Sequence, residues 1–394
     1  MSPAPADPST AGNRRRAWRF VVALGVVSLF ADMTYEGARS IVGPWLGHLG
    51  AGALTVGVIG GGAEFLGYSV RWFAGRGADA SGRHWTLMVA GYALNMLSVP
   101  FLALTSALGP AAGLVVAERL GKGVRTPSRD ALIARAGAVV GHGLSFGVHE
   151  FLDQLGALTG PLLVAGLVAV AGYRAGFAVL AAPALAALGC LAAARRFESH
   201  VPRHERLDPR PFPARFWSWL GFAAFATAGY AHFALVSFHL ATAGRLPLSL
   251  IPVIFAVAMG AEGLAALAAG RLSGRFGAWP LLAFPLAGAG GTALLFLGGA
   301  GASWVGAPLW GAGLGVQSAL LRAQVASLVP DGRRGEAFGL LDTAIGLGWL
   351  AGSAVLGALY EFAPASLVLA AGALELVALI WLAGLAASAS PGSR

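Results

Sequence analysis

The sequence predicts an all-α membrane protein with twelve transmembrane helices in two pseudo-symmetric six-helix halves. Three observations lead to this prediction: long apolar segments, basic residues in alternate gaps between them, and an internal duplication. Of the 394 residues, 57% are hydrophobic and only 11% are charged. A soluble domain of this size would have too little polar surface to cover itself.

The apolar segments are each long enough to cross a bilayer, because about 20 apolar residues span the roughly 30 Å of hydrocarbon. Several are longer, which allows tilted helices. In order, the segments are 17–47, 52–74, 85–108, 110–132, 143–170, 173–196, 215–242, 248–270, 277–299, 303–326, 336–360 and 363–388.

Basic residues orient these segments. All but four of the 27 Lys and Arg residues lie on one side of the pattern, namely at the N-terminus, at the C-terminus, or in every second gap and the parts of the segments that border it. Cytoplasmic loops of membrane proteins carry such an excess. We therefore expect both termini in the cytoplasm and the chain in the cytoplasmic (inner) membrane. The net charge of +9 then reflects topology and contact with anionic lipid, and no nucleic acid partner is expected. The four exceptions are Arg39, Arg119, Arg174 and Arg245.

The second half of the chain repeats the first. The fifth segment contains SFGVHEFLDQLGALTGP, the eleventh contains AFGLLDTAIGLGWLAGS, and their glycines fall in register. Arg129 and Arg322 precede these stretches at nearly matching places. Equally oriented halves suit a transporter with a central site. The predicted divisions are a disordered tail 1–16, a six-helix half 17–196, a cytoplasmic linker 197–214, a second half 215–388 and a tail 389–394.

A loop motif carries a family resemblance. GRGADASGRHWTL at 75–87 resembles the signature G-x-x-x-D-x-x-G-[RK] of the Major Facilitator Superfamily, between its second and third helices. Arg119-Leu-Gly-Lys-Gly123 resembles the R-x-x-x-G pattern of the family's fourth helix. The second copy of the loop has Gly274 in place of the acid. The resemblance implies rocker-like alternating access, with helices one, four, seven and ten lining the cavity.

Polar residues at the cytoplasmic ends form a candidate gate or latch. In the family the signature loop latches the outward-facing state, and its glycines permit a tight turn. Asp79 can pair with Arg83 or with another cytoplasmic arginine. His149, Glu150 and Asp153 begin the fifth segment, near the cytoplasmic surface. The candidate gate residues are Gly75, Asp79, Gly82, Arg83, Lys122, Arg125, Arg129, His149, Glu150 and Asp153.

Charges inside spans are rare and usually line a cavity. Asp32, Glu36 and Arg39 share one face of the first segment, and the resemblance places Arg119 across the cavity from the acids. Two acids beside an arginine form a protonation switch, because access of water moves a proton on or off. Glu64 and Arg71 share a face of the second segment and can pair. The candidates for proton coupling or the substrate cavity are Asp32, Tyr35, Glu36, Arg39, Glu64 and Arg119.

These patterns favour a secondary active transporter of a small solute, acting as a proton-coupled exporter and a monomer. The chain lacks the G-x-x-x-x-G-K-[ST] loop of ATP-driven transport, and neither an enzymatic module nor a cofactor is expected. One alternative is a divalent metal-ion carrier, in which His232 and His239, seven residues apart, join Asp32 and Glu36. Another is a non-transporting membrane sensor. The second half offers fewer embedded acids, namely Glu262, Asp342 and Glu375.

Overall fold

The computed structural model describes residues 8–197, 211–330 and 333–387, and these residues form α-helices and short 3-10 turns without any strand. The 3-10 turns follow α3 and α6 and precede α10. The helices are α1 (Pro8–His48), α2 (Ala53–Ser81), α3 (His84–Phe101), α4 (Leu108–Val140), α5 (His142–Ala178), α6 (Ala181–Ala194), α7 (Ala214–Gly229), α8 (Phe233–Thr242), α9 (Leu250–Phe276), α10 (Ala283–Leu297), α11 (Ala300–Leu328), α12 (Arg334–Phe362) and α13 (Pro364–Ala387).

Length and composition fit a multi-pass membrane protein. In the described part of the chain, nine helical stretches are long and apolar enough to cross a membrane. One of them, 144–197, contains both the fifth and the sixth predicted segments. Helices α4 and α11 fall outside the nine, and α4 carries a dense series of charges between Glu118 and Arg135. The count of twelve spans in two halves stays a prediction.

One predicted boundary, the end of the N-terminal tail, differs from the structure. The predicted disordered tail extends to residue 16, whereas α1 already begins at Pro8. Proline suits the first turn of a helix, and the arginines that follow are good helix formers. The part of the tail at residues 1–7 and most of the predicted linker lie outside the described residues.

The seventh predicted segment is not one helix. Helix α7 ends at Gly229 and α8 begins at Phe233, which leaves Tyr230, Ala231 and His232 extended or bent between them. The cause is local capping: His232 Nδ1 accepts a hydrogen bond from the Ala234 amide at 3.2 Å and so starts a new helix. A comparable break divides the predicted fifth and sixth segments, where Gly172 adopts φ +73° inside α5.

Glycines allow the helices to touch backbone to backbone. Gly156 and Gly160 of α5 face the carbonyl groups of Leu29 and Met33 on α1. A Cβ at either glycine would collide with the facing carbonyl oxygen. This is the small-residue packing by which helices associate in lipid, where no hydrophobic drive acts between them.

The equivalent glycines of the repeat do the same in the second half of the chain. Gly348 and Gly352 of α12 face the carbonyl groups of Ala224 and Ala228 on α7. The two stretches that match in sequence therefore use matching glycines to pack against the helix that opens their own half of the chain.

We expect Gly156→Ala to destabilise the protein by about 1–3 kcal/mol, because an extra methyl group forces a packed interface apart. Thermal unfolding of the purified protein in detergent measures the change. Gly166→Ala on the same helix is the matched control, because a Cβ at Gly166 would meet nothing within 4 Å. Equal unfolding temperatures for the two variants would contradict the packing described here.

Candidate functional site: a buried ion network

Glu64 of α2 is the centre of a buried ion network. Its Oε1 lies 3.3 Å from Arg39 Nη2 of α1 and 3.2 Å from Arg119 Nε of α4. His232 Nε2, at the start of α8, lies 3.7 Å from the same oxygen. The glutamate is thus shared by side chains from three other helices, and its contact with Arg71, which the sequence suggested, is not formed.

Two further acids complete the network. Glu36 lies 3.5 Å from Arg39 and 3.9 Å from Lys122 Nζ. Glu118 lies 3.4 Å from Arg119 Nε, and its Oε1 accepts a hydrogen bond of 2.7 Å from Asn95 Nδ2. The formal charges of Glu36, Glu64 and Glu118 balance those of Arg39, Arg119 and Lys122. Pairing of this kind is what makes buried charge tolerable in a membrane.

Tyr35 adds an aromatic face to the network. Lys122 Nζ lies 3.8 Å from the centre of its ring, and the Cζ atoms of Arg119 and Arg125 each lie 5.7 Å from it. Three cations around one ring form cation–π contacts. Tyr35 therefore holds the cationic face of α4 against α1.

A cavity opens beside this network. It is small, with a volume of about 30 Å³, which is room for about two water molecules. Charged groups and one phenol meet small and branched apolar side chains there, so a wider form of the same cavity would suit a ligand with both polar and apolar parts. The lining residues are Tyr35, Ala38, Arg39, Val42, Gly60, Ala63, Val99, Leu102, Val115, Glu118, Arg119, His232 and Ala234. Of the candidate cavity residues, Tyr35, Arg39 and Arg119 line it, whereas Asp32, Glu36 and Glu64 do not.

Asp32 lies one helical turn from Glu36 and has different surroundings. It is buried, its Oδ1 has no hydrogen-bond partner, and within the described residues no cation lies at ion-pair distance from it. Lys122 and Arg125 act on it only at longer range. Asp32 is also close enough to Asp153 of α5 for the two carboxyl groups to repel each other.

The candidate gate residues divide into several groups. His149 Nε2 is hydrogen-bonded to Ser28 of α1 at 2.8 Å, and its Nδ1 lies 3.4 Å from Asp153 Oδ2. Arg129 Nη1 of α4 lies 3.7 Å from Asp153 and 3.5 Å from Ser28 Oγ. This group joins α1, α4 and α5. Glu150 stands apart, since it accepts a hydrogen bond from Gln154 on the exposed side of α5.

Arg125, one of the candidate gate residues, is fully buried. Its side chain is 0% exposed, and its three nitrogen atoms have no hydrogen-bond partner among the described residues. The guanidinium carbon lies 4.4 Å from the centre of the Tyr92 ring. Stacking on Tyr92 and Tyr35 replaces the hydrogen bonds that a buried guanidinium ordinarily makes.

The signature loop forms the end of α2. Gly82 has φ +65° and terminates the helix in the left-handed conformation that favours glycine. Asp79 Oδ1 lies 3.6 Å from His84 Nε2, so the residue after Arg83 reaches the signature acid. A Cβ at Gly75 would contact the side chain of Pro127 on α4 at 3.4 Å.

A second ion cluster joins α2 to α11 and α12, and the sequence did not indicate it. Arg71 Nη1 donates to Asp342 Oδ2 at 2.8 Å, and Arg322 Nη2 donates to the other carboxylate oxygen at 3.0 Å. Asp342 was visible in the sequence only as an embedded acid. The pair Arg71 and Asp342 joins residues that are 271 positions apart, so no local sequence pattern predicts it.

The two histidines proposed for a metal site have separate surroundings. His232 lies against Glu64 and Trp349, whereas His239 Nδ1 is hydrogen-bonded to Tyr360 at 2.8 Å and its ring stacks on Phe296. In the described ranges no three His, Cys, Asp or Glu side chains come together as metal ligands. The metal-ion alternative therefore finds no site among these residues.

Related proteins agree on the family. The model of the Major Facilitator Superfamily matches residues 24–353. An uncharacterised protein of Mycobacterium tuberculosis (strain ATCC 25618 / H37Rv) is 42% identical over 381 residues, which cover 93% of this chain and 92% of the relative. An uncharacterised MFS-type transporter of Methanocaldococcus jannaschii is 30% identical over 152 residues, 38% of each chain.

Solved structures share the fold. The POT family transporter PepTSo has a TM-score of 0.73 at 12% identity, over 94% of this chain and 98% of that one. Nucleoside transporter NupG has a TM-score of 0.70 at 12% identity, with the same coverage. A bacterial homolog of the human lysosomal transporter Spinster has a TM-score of 0.70 at 15% identity, over 93% of this chain and 94% of that one. Together with the match of the family model, these similarities show that the chain is a membrane transporter that belongs to the Major Facilitator Superfamily.

Proposed function

We propose that this protein is a secondary active transporter that exports a small solute across the cytoplasmic membrane by alternating access, driven by protons. The observation that carries the proposal is the contrast between two kinds of buried acid on one helix. Glu36 is paired with two cations, whereas Asp32, one turn away, has no cation at ion-pair distance in the described part of the chain.

This contrast supports proton coupling through Asp32. An unpaired carboxylate is costly in a closed, apolar site, so Asp32 favours a proton whenever water is excluded. When the site opens to water on one side, the charged form is hydrated and the proton can leave. Proximity to Asp153 adds to the effect, because two neighbouring carboxyl groups resist ionising together.

The ion network gives the proton a way to influence the substrate cavity. Ionised Asp32 attracts Lys122 and Arg125, and Lys122 also pairs with Glu36. Glu36 in turn contacts Arg39, which lines the cavity. A change of charge on Asp32 therefore alters the positions of the cations on α4. Glu36, which contacts both Lys122 and Arg39, links this change to the cavity.

The glycine contacts support two moving halves, 17–196 and 215–388. The matching pairs α1–α5 and α7–α12 each pack through matching glycines, as duplicated halves would. Between the halves, α2 meets α12 through Gly57 and Gly61, and Arg71 meets Asp342. The signature loop at 75–83 acts in this scheme as a cytoplasmic latch, and the protein works as a monomer.

A ligand screen followed by vesicle transport tests the proposed function. Solutes that bind the folded protein raise its unfolding temperature, and those with polar and apolar parts suit the cavity best. A solute found in this way is then offered to reconstituted vesicles under an imposed pH gradient. Accumulation that depends on the gradient supports the proposal, and downhill movement that ignores the gradient contradicts it.

Labelling by an impermeant thiol reagent tests the proposed topology. In a background in which Cys190 is replaced by serine, we expect Ala243→Cys, at the exposed end of α8, to react from outside the cell. Arg206→Cys, in the proposed cytoplasmic linker, should react only after the membrane is opened. The expectation follows from the basic residues that mark cytoplasmic gaps. Reversed labelling would contradict the orientation.

A further inference from the structure

Glu375 lies in the middle of α13 and has no part in the ion network. Its side chain is 0% exposed, and neither carboxyl oxygen has a hydrogen-bond partner among the described residues. No cation of the described chain lies at ion-pair distance from it. Because a buried, unpaired carboxylate costs far more than a neutral carboxyl group, a proton on this glutamate would remove the cost of burying its charge.

The surroundings of Glu375 are built to fit a carboxyl group. A Cβ at Gly229 of α7 would lie 2.9 Å from Glu375 Cδ, and one at Gly288 of α10 would lie 2.5 Å from its Oε1. Both glycines thus keep open the space that the carboxyl group fills. The side chain of Tyr230 approaches Gly288 from the same side, with its Cε2 2.5 Å from the position of that Cβ.

Gly229 is also the last residue of α7, at the break in the seventh segment. The last four carbonyl groups of a helix have no partner within the helix. A protonated carboxyl group carries an O–H donor that can serve one of these oxygens, whereas a carboxylate can only accept. Glu375 lies beside Gly229, so its protonation state decides whether it presents a donor or only acceptors to this end of α7.

The other end of the break touches the ion network. His232 follows Gly229 by three positions and contacts Glu64 at 3.7 Å. Between them, the Tyr230 hydroxyl donates to the Trp310 carbonyl at 2.8 Å, and Trp310 Nε1 donates to the Ala231 carbonyl at 2.9 Å. Only Tyr230 and Ala231 separate Gly229 from His232, and Trp310 of α11 holds both by hydrogen bonds.

We propose that Glu375 is a second proton-binding site, which is occupied in the present conformation and sets the geometry of the break at residues 230–232. Release of the proton shifts the end of α7 and, through His232, loosens the contact with Glu64. Among the described residues, the titratable group beside Glu375 is Tyr230. This inference extends the proposed function: the role of Glu375 in transport depends on that function, whereas the binding of a proton by Glu375 does not.

Infrared spectroscopy of the purified protein tests the site without any substrate. We expect the C=O stretching band of a protonated carboxylic acid at neutral pH, and loss of one such component in Glu375→Gln. Glu361→Gln is the matched control, since Glu361 lies at the exposed end of α12 and accepts a hydrogen bond from the Leu54 amide. An unchanged band in Glu375→Gln would overturn the proposal, whatever the transport assays show.

Thermal unfolding at several pH values provides a second test. The native protein holds a proton on Glu375 that the unfolded chain releases, so this residue makes wild-type stability fall as pH rises. In Glu375→Gln, which imitates the protonated form, this component is absent. The unfolding temperature of the variant should therefore rise relative to that of the wild type as pH increases. A constant difference between the two proteins at all pH values would contradict a bound proton.

Discussion

Asp32→Asn should abolish uphill, gradient-driven movement of the substrate in reconstituted vesicles while exchange of substrate across the membrane survives. The amide preserves the shape of the side chain and imitates the protonated acid permanently. A transporter that cannot release the proton still changes conformation with substrate bound, but it no longer couples that movement to a pH gradient. We expect accumulation to fall to the level of protein-free vesicles.

The control for this variant is Asp130→Asn. Asp130 pairs with Arg129 on α4 but is 44% exposed, so the loss of its charge should leave accumulation close to that of the wild type. Glu36→Gln is expected to lose coupling as well and also to lose stability, because it leaves Arg39 and Lys122 without their shared acid. If Asp32→Asn concentrates substrate with wild-type pH dependence, coupling passes elsewhere, and His149 with Asp153 becomes the next candidate.

Arg119→Ala should damage both folding and transport. Arg119 is the cation that Glu64 and Glu118 share, and its removal leaves buried carboxylates in excess. Breaking a buried pair by removing one partner costs about 3–5 kcal/mol. We expect a clear drop in unfolding temperature in detergent, together with loss of substrate binding, because the same side chain lines the cavity.

Two further variants separate charge from geometry at this position. Arg174→Ala removes an arginine from a predicted outer loop and should leave the unfolding temperature almost unchanged, as surface substitutions do. Arg119→Lys keeps the charge but loses the planar fork that contacts two acids at once, so we expect partial recovery of stability and little recovery of transport. Wild-type stability in Arg119→Ala would contradict the network.

The family and the all-helical fold could be predicted from the sequence because both depend on local sequence patterns. Hydrophobic runs identify helices, and the spacing of Asp32, Glu36 and Arg39 places them on one face. The resemblance and that spacing predicted that Asp32 and Glu36 face the cavity with Arg119 across from them. Arg119 lines the cavity, as do Tyr35 and Arg39, whereas the two acids do not. The repeat pointed to glycines whose packing the structure describes.

The partners of the buried charges could not be predicted, because they depend on which helices meet. Glu64 and Arg71 share a face of α2, and their spacing in the sequence would allow them to pair. In the structure each forms an ion pair with a residue on another helix instead. The break before His232 was missed because its residues are as apolar as a helix, and the polar signal is the histidine ring that caps the start of α8. In the sequence Glu375 is one embedded acid among several, and only the structure shows that its carboxyl group has no hydrogen-bond partner among the described residues.

If substrate movement is coupled to protons through Asp32, a substrate gradient alone must move protons. Vesicles containing a pH-sensitive dye and no imposed pH gradient are given a gradient of the substrate. Downhill substrate flux should then change the internal pH in the wild type, whereas Asp32→Asn should carry substrate without any such change. Substrate flux through the wild-type protein with a constant internal pH would contradict it.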